Sequence, residues 1–158
     1  MKQLHIILDT NCLIQIISIR SKFYTIWKAF LNGKFILCVS NEILNEYTEI
    51  LERLASVDVA YSVVNAIIYS PFVKVVNPQY RFCLIQQDYD DNKFVDCAIS
   101  SGASFIVSND RHFDILNAIE FPKVNVIDLD LFNEFVNSNY MIDEDDNLLL
   151  NDSEISDY

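Results

Sequence analysis

The chain has 158 residues, 51% of them apolar, and a formal net charge of −12. That length supports one domain with a real core, and that apolar share excludes disorder of the whole chain. Only two glycines are present, which excludes a glycine-rich phosphate loop, and the acidity argues against a simple nucleic-acid coat.

The first element expected is a strand, Leu4 to Leu8, running straight into Asp9, Thr10 and Asn11. A short β-branched run that stops at a carboxylate reads as a buried strand delivering an acid to its C-terminal end. The pattern then predicts helices over Asn11–Arg20 and Lys22–Leu31. The second places Phe23, Ile26, Trp27 and Phe30 at helical spacing, more as core or a dimer surface than as a base-stacking platform. Asn32-Gly33 stops it. Phe35–Val39 is a second strand. Ser40 looks like the N-cap of a helix carrying Ile43, Leu44, Tyr47, Ile50, Leu51 and Leu54 as its stripe. A helix over Val57–Tyr69 and a strand over Phe72–Val76 follow, closed by Asn77-Pro78. Residues 79–90 read as a loop ending in acids. A helix then runs from Asp91 or Asn92 to Ser101, with Gly102 at C′. The last elements are a strand over Ser104–Ser108, a short helix over Arg111–Leu116, a strand over Val124–Ile127 and a helix over Leu129–Val136. Strands alternating with helices imply βαβ units and a mostly parallel sheet covered on both faces.

Domain organisation follows the charge. Residues 1–137 carry 16 acids against 11 basic residues, whereas no Lys or Arg follows Lys123 and seven acids lie from Asp143 onward. The expected layout is a globular domain over 1–137 and an acidic, flexible tail over 138–158. The tail is most simply solubilising. No window reaches the ~18 uninterrupted apolar residues of a membrane span. Asp9 and Asn11 interrupt the N-terminal apolar run where a signal-peptide core would continue, so the expected location is the cytoplasm. Cys12, Cys38, Cys83 and Cys97 form no CxxC pair, and only two histidines occur, so thiolate or imidazole-rich metal sites are not expected.

Three acids stand at predicted element junctions of one kind: Asp9 follows the first strand, Asp91 opens a helix after the 79–90 loop, and Asp110 follows the Phe105–Ser108 strand. Glu46 lies near the start of the helix after the second strand. In a parallel sheet these places converge on the carboxyl edge of the strands. Carboxylates brought together raise one another's pKa and call for a compensating cation. An all-oxygen set suits Mg²⁺ or Mn²⁺ and disfavours Zn²⁺. Such an ion supports in-line attack on a phosphodiester. Each acid has a bland alternative. Asp9, Asp91 and Asp110 are good helix caps, and Glu46 shares its helix with Glu42, Glu49 and Glu52, with no spacing that singles it out. Asp96 is a further acid, about 140° around the helix from Asp91. Asp114 reads as plain surface, and Lys93, Arg111 and His112 as exposed charges or phosphate contacts.

The blocks "ILDTNCLI", "SNEILNEYTEIL" and "DYDDNKFVDCAISSGASFIVSNDRHF" resemble the signature blocks of the PIN-domain family, in the branch of toxin components of toxin–antitoxin pairs. The resemblance covers about residues 4–136. It implies a three-layer α/β/α sandwich and a metal-dependent ribonuclease held in check by an antitoxin, in a family that often dimerises. Asp9, Glu46, Asp91 and Asp110 match the family's four acids, with Asp96 as a possible extra ligand. Asn11 and Ser108 match the polar residues that support the first acid or a water; the family more often has Thr than Ser at the latter position. A haloacid-dehalogenase-type phosphatase wants an acid two residues after the first Asp, where this chain has Asn11. A receiver domain wants an acidic pair at the end of strand 1 and a Lys after the last strand, and neither is present. The remaining alternative is a PIN-like RNA-binding or interaction module without turnover.

Overall fold

The computed structural model describes residues 3–140. Its elements are β1 (His5–Leu8), α1 (Thr10–Ile17), α2 (Tyr24–Leu31), β2 (Ile36–Val39), α3 (Asn41–Leu54), α4 (Val57–Ile68), β3 (Val73–Val75), α5 (Asn92–Ser101), β4 (Phe105–Val107), β5 (Val126–Ile127) and α6 (Leu129–Tyr140). Two 3₁₀ segments, Tyr89–Asp91 and Arg111–Ala118, complete the chain. The five strands form one sheet in the order β3-β2-β1-β4-β5, and every pairing is parallel.

The central strand shows why the sheet is covered on both sides. Ile6, Ile7 and Leu8 are successive residues and all are buried. Successive strand residues point to opposite faces, so both faces of β1 meet apolar cover. On one of those faces α5 packs against β1, β2 and β4. Phe132 of α6 meets both Phe35 and Phe105 edge-on, at ring separations of 5.3 and 5.9 Å. The predicted aromatic stripe of α2 is core: Phe23, Trp27 and Phe30 are buried, with Trp27 and Phe30 5.4 Å apart.

Local signals placed most boundaries. Ser40 caps α3 by accepting the Ile43 N–H at 3.3 Å, and Gly102 ends α5 with φ +68°, a conformation glycine adopts without strain. Differences arise where tertiary ties replace local preference. The segment after Asp110 is 3₁₀ rather than α and extends to Ala118. Helix α6 runs on to Tyr140 instead of ending at Val136. The acidic stretch from Asp143 onward lies outside the described residues.

The chain leaves β1 toward β2 and β3 on one side, then returns to place β4 and β5 on the other. The strand order therefore reverses between β1 and β4, which opens a crevice at their carboxyl ends. Asp9 follows β1 and Asp110 follows β4, one on each lip of that crevice.

Candidate active site

Asp9 stands at the N-terminus of α1, yet its side chain does not cap the helix. It accepts a hydrogen bond from the Ser108 hydroxyl at 2.8 Å. Ser108 in turn accepts the Asp110 backbone N–H at 3.0 Å, so one hydroxyl ties the first and fourth acids together. Asp9 is only 6% exposed, and no lysine or arginine pairs with it among the described residues. Burial pushes its pKa up, and the nearby charges of Asp110 and Glu46 push it further; the bonds from Ser108 and the Thr10 backbone only partly oppose this.

Glu46 is brought to Asp9 by two contacts that the sequence did not announce. The Thr10 hydroxyl donates to Glu46 Oε2 at 2.7 Å. The next residue, Tyr47, is fully buried and donates its hydroxyl to the Leu8 carbonyl, pinning α3 to the end of β1. Lys93 of α5 reaches Glu46 Oε1 at 3.5 Å and Asp90 at 3.7 Å. Its side chain is 12% exposed, so the reading of Lys93 as a freely solvated charge is corrected: its ammonium is held inside the acid cluster.

Asp91 also makes no cap bond. Its Oδ2 accepts from His112 Nδ1 at 3.1 Å, and the same nitrogen lies 3.6 Å from Asp110 Oδ1. Burial, and the charges of Asp88, Asp110 and Asp9, push Asp91 up to about 6 despite the His112 bond. The reciprocal effect raises His112, chiefly through its bond to Asp91. Asp110 does act as a cap, accepting the His112 backbone N–H at 2.9 Å, so capping and site membership coincide there.

Asn11 is exposed in the first turn of α1, and its side chain makes no hydrogen bond among the described residues. Asp96 goes elsewhere. It accepts the Phe82 backbone N–H at 3.1 Å, and its second oxygen lies 3.8 Å from Arg81, which also pairs with Glu42. The helical offset from Asp91 turns it toward the 79–90 loop and away from Asp9. Asp114 is exposed, as expected.

The donor set is oxygen-rich and under-neutralised. Lys93 offsets Glu46 and His112, when protonated, offsets Asp91, whereas Asp9 has only the Ser108 hydroxyl and the Thr10 backbone N–H at hand. A hard divalent cation fits that chemistry. Among the described residues, the group of three candidate ligands whose donor atoms all lie within 4.8 Å of one another is Asp88, Asp91 and His112. Asp9, Glu46, Asp91 and Asp110 share electrostatic influence but stand more openly around the crevice.

Comparison with known proteins agrees with this architecture. A family model described as PIN domain matches residues 5–112. The chain belongs to the PIN-domain family. No curated protein matches it. Among solved structures it is similar to the DNA-bound VapBC of Salmonella typhimurium, at 20% identity and a TM-score of 0.52, covering 80% of this chain and 99% of that one. VapBC2 of Rickettsia felis, bound to a promoter DNA fragment, is 15% identical with a TM-score of 0.54, covering 79% and 98%. VapC20 of Mycobacterium tuberculosis, described as a sarcin-ricin loop cleaving toxin, is 18% identical with a TM-score of 0.53, covering 76% and 98%. At these identities the likeness is one of fold. No helix among the described residues is long and apolar enough to cross a membrane.

Proposed function

We propose that this protein is a Mg²⁺- or Mn²⁺-dependent RNA endonuclease, acting as a toxin restrained by an antitoxin protein. The observation that carries the reading is the buried, uncompensated Asp9 facing Asp110 and Glu46 at the strand-order reversal of a PIN fold. Asp9, Glu46, Asp91 and Asp110 would hold the cation, which supplies the charge that polarises a phosphodiester and neutralises its ligands. Ser108 orients Asp9 and the Asp110 backbone. His112 orients Asp91, and Lys93 with Thr10 fixes Glu46. Asn11, open to solvent beside Asp9, is placed to meet a phosphate oxygen or a water. Asp96, facing Arg81, serves the loop rather than the ion. The antitoxin rests on the resemblance and on the similar proteins solved as VapBC assemblies.

A second reading, a PIN-like RNA-binding module without turnover, draws on the open spacing of the four acids. Incubating a mixed RNA panel with Mg²⁺ or Mn²⁺ separates the two. The nuclease cuts, and Asp9→Asn and Asp110→Asn do not; RNA that survives the wild type as well as it survives both variants removes the nuclease reading.

A further inference from the structure

The crevice is flanked by two cavities of opposite character. One, about 270 Å³, lies beyond Ser108 and is lined by Asp110, Asp114 and Asp128 among others. The other, about 310 Å³, lies on the far side of His112 and is lined by Leu84, Ile85, Gln86, Gln87, His112 and Ile115, without a single carboxylate. We propose that this second cavity is a nucleobase subsite, receiving one unpaired base of the RNA next to the phosphodiester held at the acids. The proposal rests on the nuclease reading and specifies where that site takes its sequence preference.

Three observations point to a base rather than to a phosphate or a peptide. First, His112 belongs to both places. Its Nδ1 contacts Asp91 and Asp110, and its ring forms one wall of the cavity, so a base stacked there sits beside the acids. Unstacked RNA bases are bound on aromatic or imidazole planes and read along their edges. Second, the lining matches a base in polarity. Leu84, Ile85 and Ile115 supply apolar walls, and the Gln86 and Gln87 amides have no partner among the described residues. Each amide offers both donor and acceptor, the pattern a base edge requires. The volume falls at the low end of small-molecule pockets, ~300–1,000 Å³, the scale of one base. Third, the wall is anchored to the site. Asn92, the first residue of α5, accepts the Ile85 N–H at 2.9 Å and donates to the Ile85 carbonyl at 2.8 Å. Asp91 immediately precedes Asn92, so the cavity wall at Ile85 is hydrogen-bonded to the residue next to the acid. The acidic cavity on the other side disfavours the RNA backbone, which leaves the His112 side as the favourable exit for the strand.

The test is cleavage of a random-sequence RNA pool in Mg²⁺ or Mn²⁺, with sequencing of the new ends. It compares the wild type with Ile115→Ser and with the double variant Gln86→Ala/Gln87→Ala. A parallel arm measures which sequences the turnover-disabled Asp110→Asn protein retains, alone and combined with each pocket change. The wild type should show a preference at one position beside the cut, and each pocket variant should compress that preference, the amide pair by about 5- to 100-fold, the range of one bidentate base-edge contact. The readout is the ratio between bases, because a folding defect lowers all four alike. Cleavage with an unchanged preference in both variants, or with no preference in the wild type, overturns the subsite and leaves the nuclease reading standing. Absence of cleavage with a one-position binding preference that the pocket changes abolish supports the subsite and removes the nuclease reading. Absence of both overturns both.

Discussion

Asp9 and Asp96 are both almost fully buried, at 6% and 1% exposure, and burial pushes both pKa values up. They differ in what surrounds them. Asp96 has a backbone N–H on one oxygen and Arg81 3.8 Å from the other, with Glu42 completing an ion-pair cluster between α3, α5 and the loop. Asp9 has a serine hydroxyl, and its electrostatic neighbours are other acids. Asp96 has a guanidinium within ion-pair range, although its Oδ2 makes no hydrogen bond among the described residues, and it fastens a loop. In the proposed function, Asp9 is the one left for a cation from outside. Burial of an acid alone therefore does not separate these two places; the charges around each carboxylate do.

The sharpest break of that comparison exchanges charge for neutrality at each place. Asp9→Asn should lower RNA cleavage by about 100-fold or more, a loss of roughly 2.7 kcal/mol of transition-state stabilisation. In chelator its melting temperature should stay level or rise, because the change removes a repulsive buried charge and keeps an acceptor for Ser108. Ser108→Ala should lower metal affinity or cleavage by about 10- to 100-fold, the usual effect of deleting a group that orients a ligand. Asp96→Ala should do the opposite of Asp9→Asn. It leaves the Phe82 N–H without its acceptor and costs about 1–3 kcal/mol of stability in denaturant titration, while cleavage per folded molecule stays within a few-fold of wild type.

Much of this contrast was legible in the sequence. Asp9, Asp91 and Asp110 follow short apolar runs or open helices, and a parallel sheet carries such junctions to one edge. The family blocks added Glu46, which no spacing singled out on a helix with four glutamates. The supporting contacts were not legible, because each depends on tertiary placement. Tyr47 looked like one more residue of an apolar stripe, and only the fold brings its hydroxyl to Leu8. Lys93 and His112 looked like surface charges, and only the approach of α5 and the 3₁₀ segment to β1 makes them counter-charges to Glu46 and Asp91. The 140° offset between Asp91 and Asp96 did carry information: it separates the two clusters.

The acids also set a pH dependence. Asp91 sits at about 6 when folded, against its ordinary 3.8. Between those values the native state binds more protons than the unfolded chain, so stability falls as pH rises through this window. His112, raised by its bond to Asp91, acts in the same direction: the stability it gains is full below its ordinary 6.5 and is lost as pH rises through its folded value. Metal-free protein should therefore be less stable at pH 7.5 than at pH 5, by about 1 kcal/mol or less from Asp91 after solvent screening, and added Mg²⁺ should raise the melting temperature more at pH 7.5. Equal Mg²⁺ effects at the two values would contradict the proposed ligands. At the small end, Lys22 and Asp130 form a pair at 2.8 Å with both side chains about two-thirds exposed. Lys22→Ala should change stability by less than about 0.5 kcal/mol and leave metal binding untouched.

The most direct measurement is calorimetric titration of Mn²⁺ into the wild type, Asp9→Asn, Asp110→Asn, Asp88→Asn and Asp96→Asn. The account predicts binding to the wild type, weakening of about tenfold or more in Asp9→Asn and Asp110→Asn, and wild-type affinity in Asp96→Asn. Binding that survives in Asp9→Asn and Asp110→Asn but is lost in Asp88→Asn would place the ion at Asp88, Asp91 and His112 instead, and would contradict the central claim.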